Sequence, residues 1–117
     1  MPPAIRHATV KDILGWMFRR YRRFRISGDS MSPRLLPGNE VLIDPRAFNR
    51  NPPLEGDIVV AAHPKQAGLL IIKRVEFVEN DGRCYLKGDN RRESSDSRQF
   101  GLVNAEALRG KVICLFP

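Results

Sequence analysis

The chain is poor in cysteine and has no long apolar run, and each scarcity removes a class of protein. Cys84 and Cys114 are its only cysteines, thirty positions apart, without the close pairing of a zinc site or a redox motif. They read as two buried thiols in strands rather than a disulfide, and no metal or other cofactor is expected. Uncharged runs, such as 58–64 and 66–72, reach only seven residues, whereas a membrane-spanning helix needs about 20 apolar residues. Pro2, Pro3, Arg6, His7, Lys11 and Asp12 interrupt any secretory h-region at the start. The sequence is therefore expected to be a soluble cytoplasmic protein without a transmembrane anchor, at most peripheral at a membrane.

What is present is one modest core's worth of chain, 117 residues at 42% hydrophobic composition, enough for one domain and an appendage. The formal charge of +7 is concentrated locally, because Arg19, Arg20, Arg22, Arg23 and Arg25 crowd one short stretch. Just before them, Thr9 and Asp12 have the spacing of a capping box, and Val10, Ile13, Leu14, Met17, Phe18, Tyr21 and Phe24 recur at helical intervals. One amphipathic helix over residues 10–24 is predicted, within a basic N-terminal appendage of residues 1–25. With its arginines it could contact an anionic membrane surface or nucleic acid, or simply pack on its own domain.

Beyond Arg25 the texture changes to short β-branched runs broken by Gly, Pro, Asn and Asp, the pattern of a mainly β domain over residues 26–117. Strands are predicted at 24–28, 40–44, 57–63, 69–79, 83–88 and 111–116. Asn80, Asp81 and Gly82 mark a hairpin between two of them. Residues 45–53, with two asparagines and three prolines, read as a surface loop.

Three local features could carry chemistry. In the run 69–78, side chains alternate between the faces of a sheet, so Lys73 shares one face with Leu69, Ile71, Val75 and Phe77. Arg74 and Glu76 mark the opposite face as the more solvated. A lone ammonium among apolar neighbours tends to lose its proton, which makes a usable general base; snorkelling to water at a sheet edge is the competing reading. The second feature is Ser30 within the turn Ser27-Gly28-Asp29-Ser30-Met31-Ser32-Pro33, which can present a hydroxyl and backbone N–H groups to an oxyanion. Turn serines are common, and alone this one says little. The third is the charged loop Gly88-Asp89-Asn90-Arg91-Arg92-Glu93-Ser94-Ser95-Asp96-Ser97-Arg98, which as composition reads as a solvated loop with surface ion pairs.

In this order, GDSMSP, IIKRV and GDNRRESSDSR resemble the serine box, lysine box and closing GDN box of the signal peptidase I family, over roughly residues 24–117. The resemblance implies coiled antiparallel β-sheets and a serine endopeptidase with a Ser–Lys dyad. By motif, Ser30 attacks the scissile carbonyl, Lys73 accepts its proton and Ser94 orients Lys73. Asp96 and Arg98 would form a supporting ion pair, and Asp89 would brace the same loop. Ile26, Met31, Leu35, Ile71 and Ile72 are candidates for a shallow apolar substrate pocket, with a precursor's N-terminal extension bound as an extended strand. Departures include Gly28, where some members carry a serine that donates to the oxyanion, Arg34 in place of a threonine, and Asn39 in place of an aspartate. The small size, basic lead-in and segments such as VLIDPRAF and GDIVVAAHP are similar to the maturation proteases of nickel-type superoxide dismutase, which implies that dismutase precursor as substrate.

Two alternatives differ in kind. A triad of Ser30, His63 and an aspartate would be recognised only by geometry. A self-cleaving repressor, also built on a Ser–Lys dyad, would use the arginines on DNA. However, the Ala67-Gly68 pair follows the serine instead of preceding it, and a single predicted helix makes no helix-turn-helix. No nucleic-acid partner is expected.

Overall fold

The computed structural model describes residues 5–90, 92 and 95–116. One helix, α1 (Val10–Met17), precedes a six-stranded sheet made of β1 (Arg22–Arg25), β2 (Glu40–Asp44), β3 (Ile58–Ala62), β4 (Leu70–Val78), β5 (Cys84–Lys87) and β6 (Leu108–Leu115). A single helical turn, α2 (Ser97–Phe100), and a 3-10 turn (Ala105–Ala107) lie between β5 and β6. The strand order is β1-β2-β6-β3-β4-β5, with every neighbouring pair antiparallel. The fold is thus mainly β, as the short β-branched runs predict.

Three register shifts bend the sheet, at Leu42/Ile43 between β2 and β6, at Val60/Ala61 between β3 and β6, and at Val75/Phe77 between β4 and β5. An extra residue on one strand sharpens the local twist. The sheet coils far enough that Phe24 of β1 and Leu70 of β4, separated by three strands in the order, line the same cleft.

Coiling also gives the sheet two apolar faces. Along β3, Ile58 and Val60 join Val41, Ile43, Ile72 and Val112 beneath Ile26, Met31 and Leu35. Val59 and Ala61 point the other way and pack with Val75, Cys84, Leu86 and Val103. Complete burial of each such aliphatic side chain contributes about 1.5–3 kcal/mol, so a strand buried on both faces anchors the middle of the domain.

Two expectations change here. The helix predicted over 10–24 stops at Met17. The Arg20 N–H donates to the Gly15 carbonyl at 2.8 Å, Arg19 has a φ of 62°, and the Tyr21 ring folds back where a Cβ on Gly15 would sit. Residues 22–25 then gain more as a strand, pairing with β2 from Arg22↔Ile43 to Arg25↔Glu40. Residues 22–25 are accordingly part of the sheet, and residues 6–8 also bond to β6, with Leu115 donating to Arg6 and Ala8 donating to Leu115.

The second change concerns β4. Simple alternation makes Arg74 and Ile72 part of a solvated face, yet Ile72 is a core residue and the Arg74 side chain is largely covered. Ile71 to Val75 are covered to differing extents, and the exposed positions of the strand are Leu70 at its start and Glu76 and Phe77 near its end.

Candidate active site

Ser30 lies in the turn that follows β1, and Lys73 lies in the middle of β4, opposite Val59 of β3. The sheet's coil brings both to one open cleft of about 170 Å³, whose walls are the 27–30 turn and the first half of β4. Lys73 lines this cleft and is only 4% exposed, so little of it meets water. Ser30 is half-buried.

The loop after β5 fixes the turn. Gly88 passes so close that a Cβ there would stand 2.6 Å from the Ser30 carbonyl oxygen, which only glycine tolerates. Two residues later the Asn90 N–H donates to that carbonyl at 2.8 Å, and the Asn90 side-chain amide donates to the Asp29 carbonyl at 2.9 Å. Asp89 points away and forms a bidentate pair with Arg74, both bonds at 3.0 Å, while Arg74 also donates to the Gly56 carbonyl. Each of the three loop residues thus has its own task. Gly88 permits contact, Asp89 ties the loop to β4, and Asn90 holds the serine's backbone.

Asp96 and Arg98 form a bidentate pair, again at 3.0 Å for both bonds, and Asp96 also accepts from the Gly88 N–H at 3.2 Å. Burial of Asp96 pushes its carboxyl up. The bonds from the Arg98 side chain and from the Arg98 and Gly88 N–H groups outweigh this and hold it below the usual carboxylate range. Ser97 accepts from the Leu86 N–H at 2.8 Å, fastening the loop's far end to β5. Ser94 lies outside the described residues.

Among the pocket candidates, Ile71 and Ile72 do line the cleft. Ile26, Met31 and Leu35 do not: they are 2%, 0% and 0% exposed and belong to the core beneath the sheet. An apolar residue next to a turn serine has the same sequence signature whether it faces substrate or core, and here the core claims it. The cleft instead gains Phe24, Gly28, Leu69, Leu70 and Ser95, none of them among the expected pocket residues. Gly28 has a φ of 104° with no heavy atom near its absent Cβ, so conformation rather than space selects glycine.

His63 is not part of this cleft. Its Nδ1 accepts from the Lys65 and Gln66 N–H groups at 3.0 and 3.1 Å, and its ring packs edge-on against Phe100. The histidine serves the turn after β3, and the triad reading has no geometric support. Cys84 and Cys114 are free and buried, and burial pushes both thiols up.

The family model described as signal peptidase, peptidase S26, matches residues 8–78 and 78–116. The chain is also 32% identical to mitochondrial ATP-independent inner membrane protease subunit 1b of Arabidopsis thaliana, over 92% of this chain and 72% of the relative. It is 32% identical to mitochondrial inner membrane protease subunit 1 of Xenopus tropicalis, over 76% and 64%, and 34% identical to subunit 2 of Mus musculus, over 72% and 60%. The chain therefore spans some three-fifths to three-quarters of the length of these relatives. They carry the broad resemblance, and not the narrower likeness to nickel-type superoxide dismutase maturation proteases. They also overturn the expected cytoplasmic location, since the similar proteins are inner membrane proteases. No helix among the described residues is long and apolar enough to cross a membrane. With its three motifs folded around one cleft and matched along most of its length, the chain belongs to the signal peptidase S26 family and is a serine peptidase.

Proposed function

We propose that the protein cleaves an N-terminal extension from a precursor, using Ser30 as nucleophile and Lys73 as general base. The observation that carries this reading is the cleft shared by a turn serine and a lysine only 4% exposed. Withdrawal from water disfavours an ammonium, so such a lysine is disposed to act as a neutral amine. The substrate enters as an extended strand between the 27–30 turn and residues 69–73 at the start of β4, where Leu69, Leu70, Ile71 and Phe24 offer a shallow apolar lining.

In the first half-reaction the Ser30 hydroxyl oxygen bonds to the scissile carbonyl carbon, and its proton passes to the Lys73 amine. The tetrahedral oxyanion collapses, the peptide C–N bond breaks, and Lys73 returns the proton to the leaving amine. Water then attacks the ester with Lys73 again as base, freeing Ser30 and the new carboxylate. The motif assigns Ser94 to orient the Lys73 amine. Asn90 holds the Ser30 main chain in place for attack, and the Asp96–Arg98 pair secures Gly88 behind it.

Precursors processed at an inner membrane are the favoured substrate class, supported by the inner membrane proteases among the relatives. The nickel-type superoxide dismutase precursor is a second candidate, resting on likeness in the basic lead-in and intervening segments. Incubation with a precursor of each kind, followed by mass spectrometry of the products, tests both. A single new N-terminus is expected, lost in Ser30→Ala and in Lys73→Ala. Cleavage persisting in both variants would overturn the dyad, and cleavage of the dismutase precursor alone would reverse the preference between substrates.

A further inference from the structure

Helix α1 is amphipathic in the inverted sense. Its buried residue is an aspartate, Asp12, which accepts from the Thr9 N–H at 2.8 Å and from Arg6 at 2.5 and 3.1 Å. Trp16, on the same side, packs edge-on against Phe116. The apolar residues point the other way. Val10, Leu14, Met17 and Phe18, spaced to share one helical face, are 78%, 47%, 63% and 80% exposed.

A water-exposed stripe of four large apolar side chains marks an interaction surface. Its surroundings say what kind. Arg19, Arg20, Arg22 and Arg25, which follow directly, are exposed and have no carboxylate partner among the described residues. An apolar protein partner would be matched by the stripe alone. An apolar stripe flanked by unpaired cations fits a surface that offers acyl chains and negative charge together.

We propose that α1 and the arginines after it dock this domain in-plane on an anionic lipid surface, with Val10, Leu14, Met17 and Phe18 entering the acyl boundary and the guanidinium groups meeting phosphates. Phe24, six residues beyond Phe18, already lines the cleft. At ~3.3 Å per residue this puts the cleft within roughly 20 Å of the docked stripe. A substrate lying at the same membrane surface would therefore reach Ser30 without leaving it.

The proposal is independent of the peptidase reading and can be tested on the whole chain carrying Ser30→Ala. Co-sedimentation is measured with vesicles of pure phosphatidylcholine and with vesicles containing phosphatidylglycerol, at low and high salt. Binding is expected only to the anionic vesicles and falls with salt. Neutralising Arg19, Arg20 and Arg25 to Gln should weaken it about fivefold per residue. Replacing Val10, Leu14, Met17 and Phe18 by Ser should weaken it on the order of a hundredfold. Circular dichroism should be unchanged, since all four side chains are on the outside. Equal binding to neutral vesicles, no binding to either kind, or retention of duplex DNA in place of vesicles would each overturn the proposal. So would a concentration-dependent dimer that the four-serine variant abolishes while vesicle binding is absent.

Discussion

Asn90 holds Ser30 by its main chain. One bond runs from the Asn90 N–H to the Ser30 carbonyl, and the Asn90 side-chain amide adds a second to the preceding carbonyl of Asp29. The Ser30 turn is thereby fixed at two successive peptide units from a residue sixty positions away in sequence.

If this clamp positions the hydroxyl, Asn90→Ala should lower kcat about ten- to a hundredfold while leaving KM nearly unchanged, because a small displacement of a reacting atom is costly. The side chain makes two exposed hydrogen bonds, donating to the Asp29 carbonyl and accepting from the Arg92 N–H, each contributing only about 1 kcal/mol, so the melting temperature should move little. Asn90→Asp, of similar shape but without the amide donor, should match the alanine variant. Normal kcat in both would show that the turn holds itself.

Gly88→Ala puts a Cβ 2.6 Å from the Ser30 carbonyl oxygen, a backbone atom that cannot swing aside as a side chain would. The loop must retreat or the turn must shift, costing about 1–3 kcal/mol and misplacing Ser30. Urea unfolding and kcat/KM should both fall. Retained activity in a destabilised protein would mean the loop gives way without moving the serine.

The Arg74–Asp89 pair has side chains only 12% and 7% exposed. Removing one partner strands a covered charge, so Asp89→Ala should destabilise by about 3–5 kcal/mol. A double replacement, Arg74→Met with Asp89→Leu, should recover much of that loss, since neither charge is then left unpaired. A double variant as unstable as the single one would show that Arg74 matters chiefly through its bond to Gly56.

Gly28 stands at φ 104°, a conformation costing an L side chain about 1–2 kcal/mol. Gly28→Ser, which adds the hydroxyl that the signal peptidase resemblance implies at this position, should lower stability by roughly that amount and fail to raise kcat. A faster enzyme would show that the turn relaxes to place the new donor at the oxyanion.

Most strand positions are legible because β-branched runs between turn formers admit few other structures: β2 has its expected bounds, Glu40–Asp44, whereas the strand expected at 24–28 lies at Arg22–Arg25. Where the helix ends was not legible. The apolar spacing continues through Tyr21 and Phe24, but Tyr21 closes a turn over Gly15 and Phe24 enters β1, both for tertiary reasons. Lys73 stood out because alternation places it among aliphatic neighbours. Ser30 did not, since what distinguishes it is backbone contact with Gly88 and Asn90, far along the chain. The same limit hid Arg74, whose covered position depends on Asp89, and misread Ile26, Met31 and Leu35, whose sequence neighbourhood cannot tell cleft from core.

Acid sensitivity follows from Asp96 and Asp12, both held below the usual carboxylate range. Asp12 is lowered mainly by the Arg6 guanidinium and then by the Thr9 N–H. For Asp96, burial opposes the shift and the bonds from Arg98 and Gly88 prevail. A carboxyl whose folded-state pKa lies below its unfolded value of about 3.9 stabilises the fold fully above that value. It loses that contribution as pH falls toward the folded-state pKa, where the native protein also takes up the proton. The wild-type melting temperature should be insensitive to these two groups between about pH 5 and 7, then drop below about pH 4. Asp96→Asn and Asp12→Asn should each begin lower at neutral pH and lose less on acidification. Thermal melts across that range read the difference, and an Asp96→Asn curve that falls as steeply as wild type would show that its ion pair contributes nothing to the acid transition.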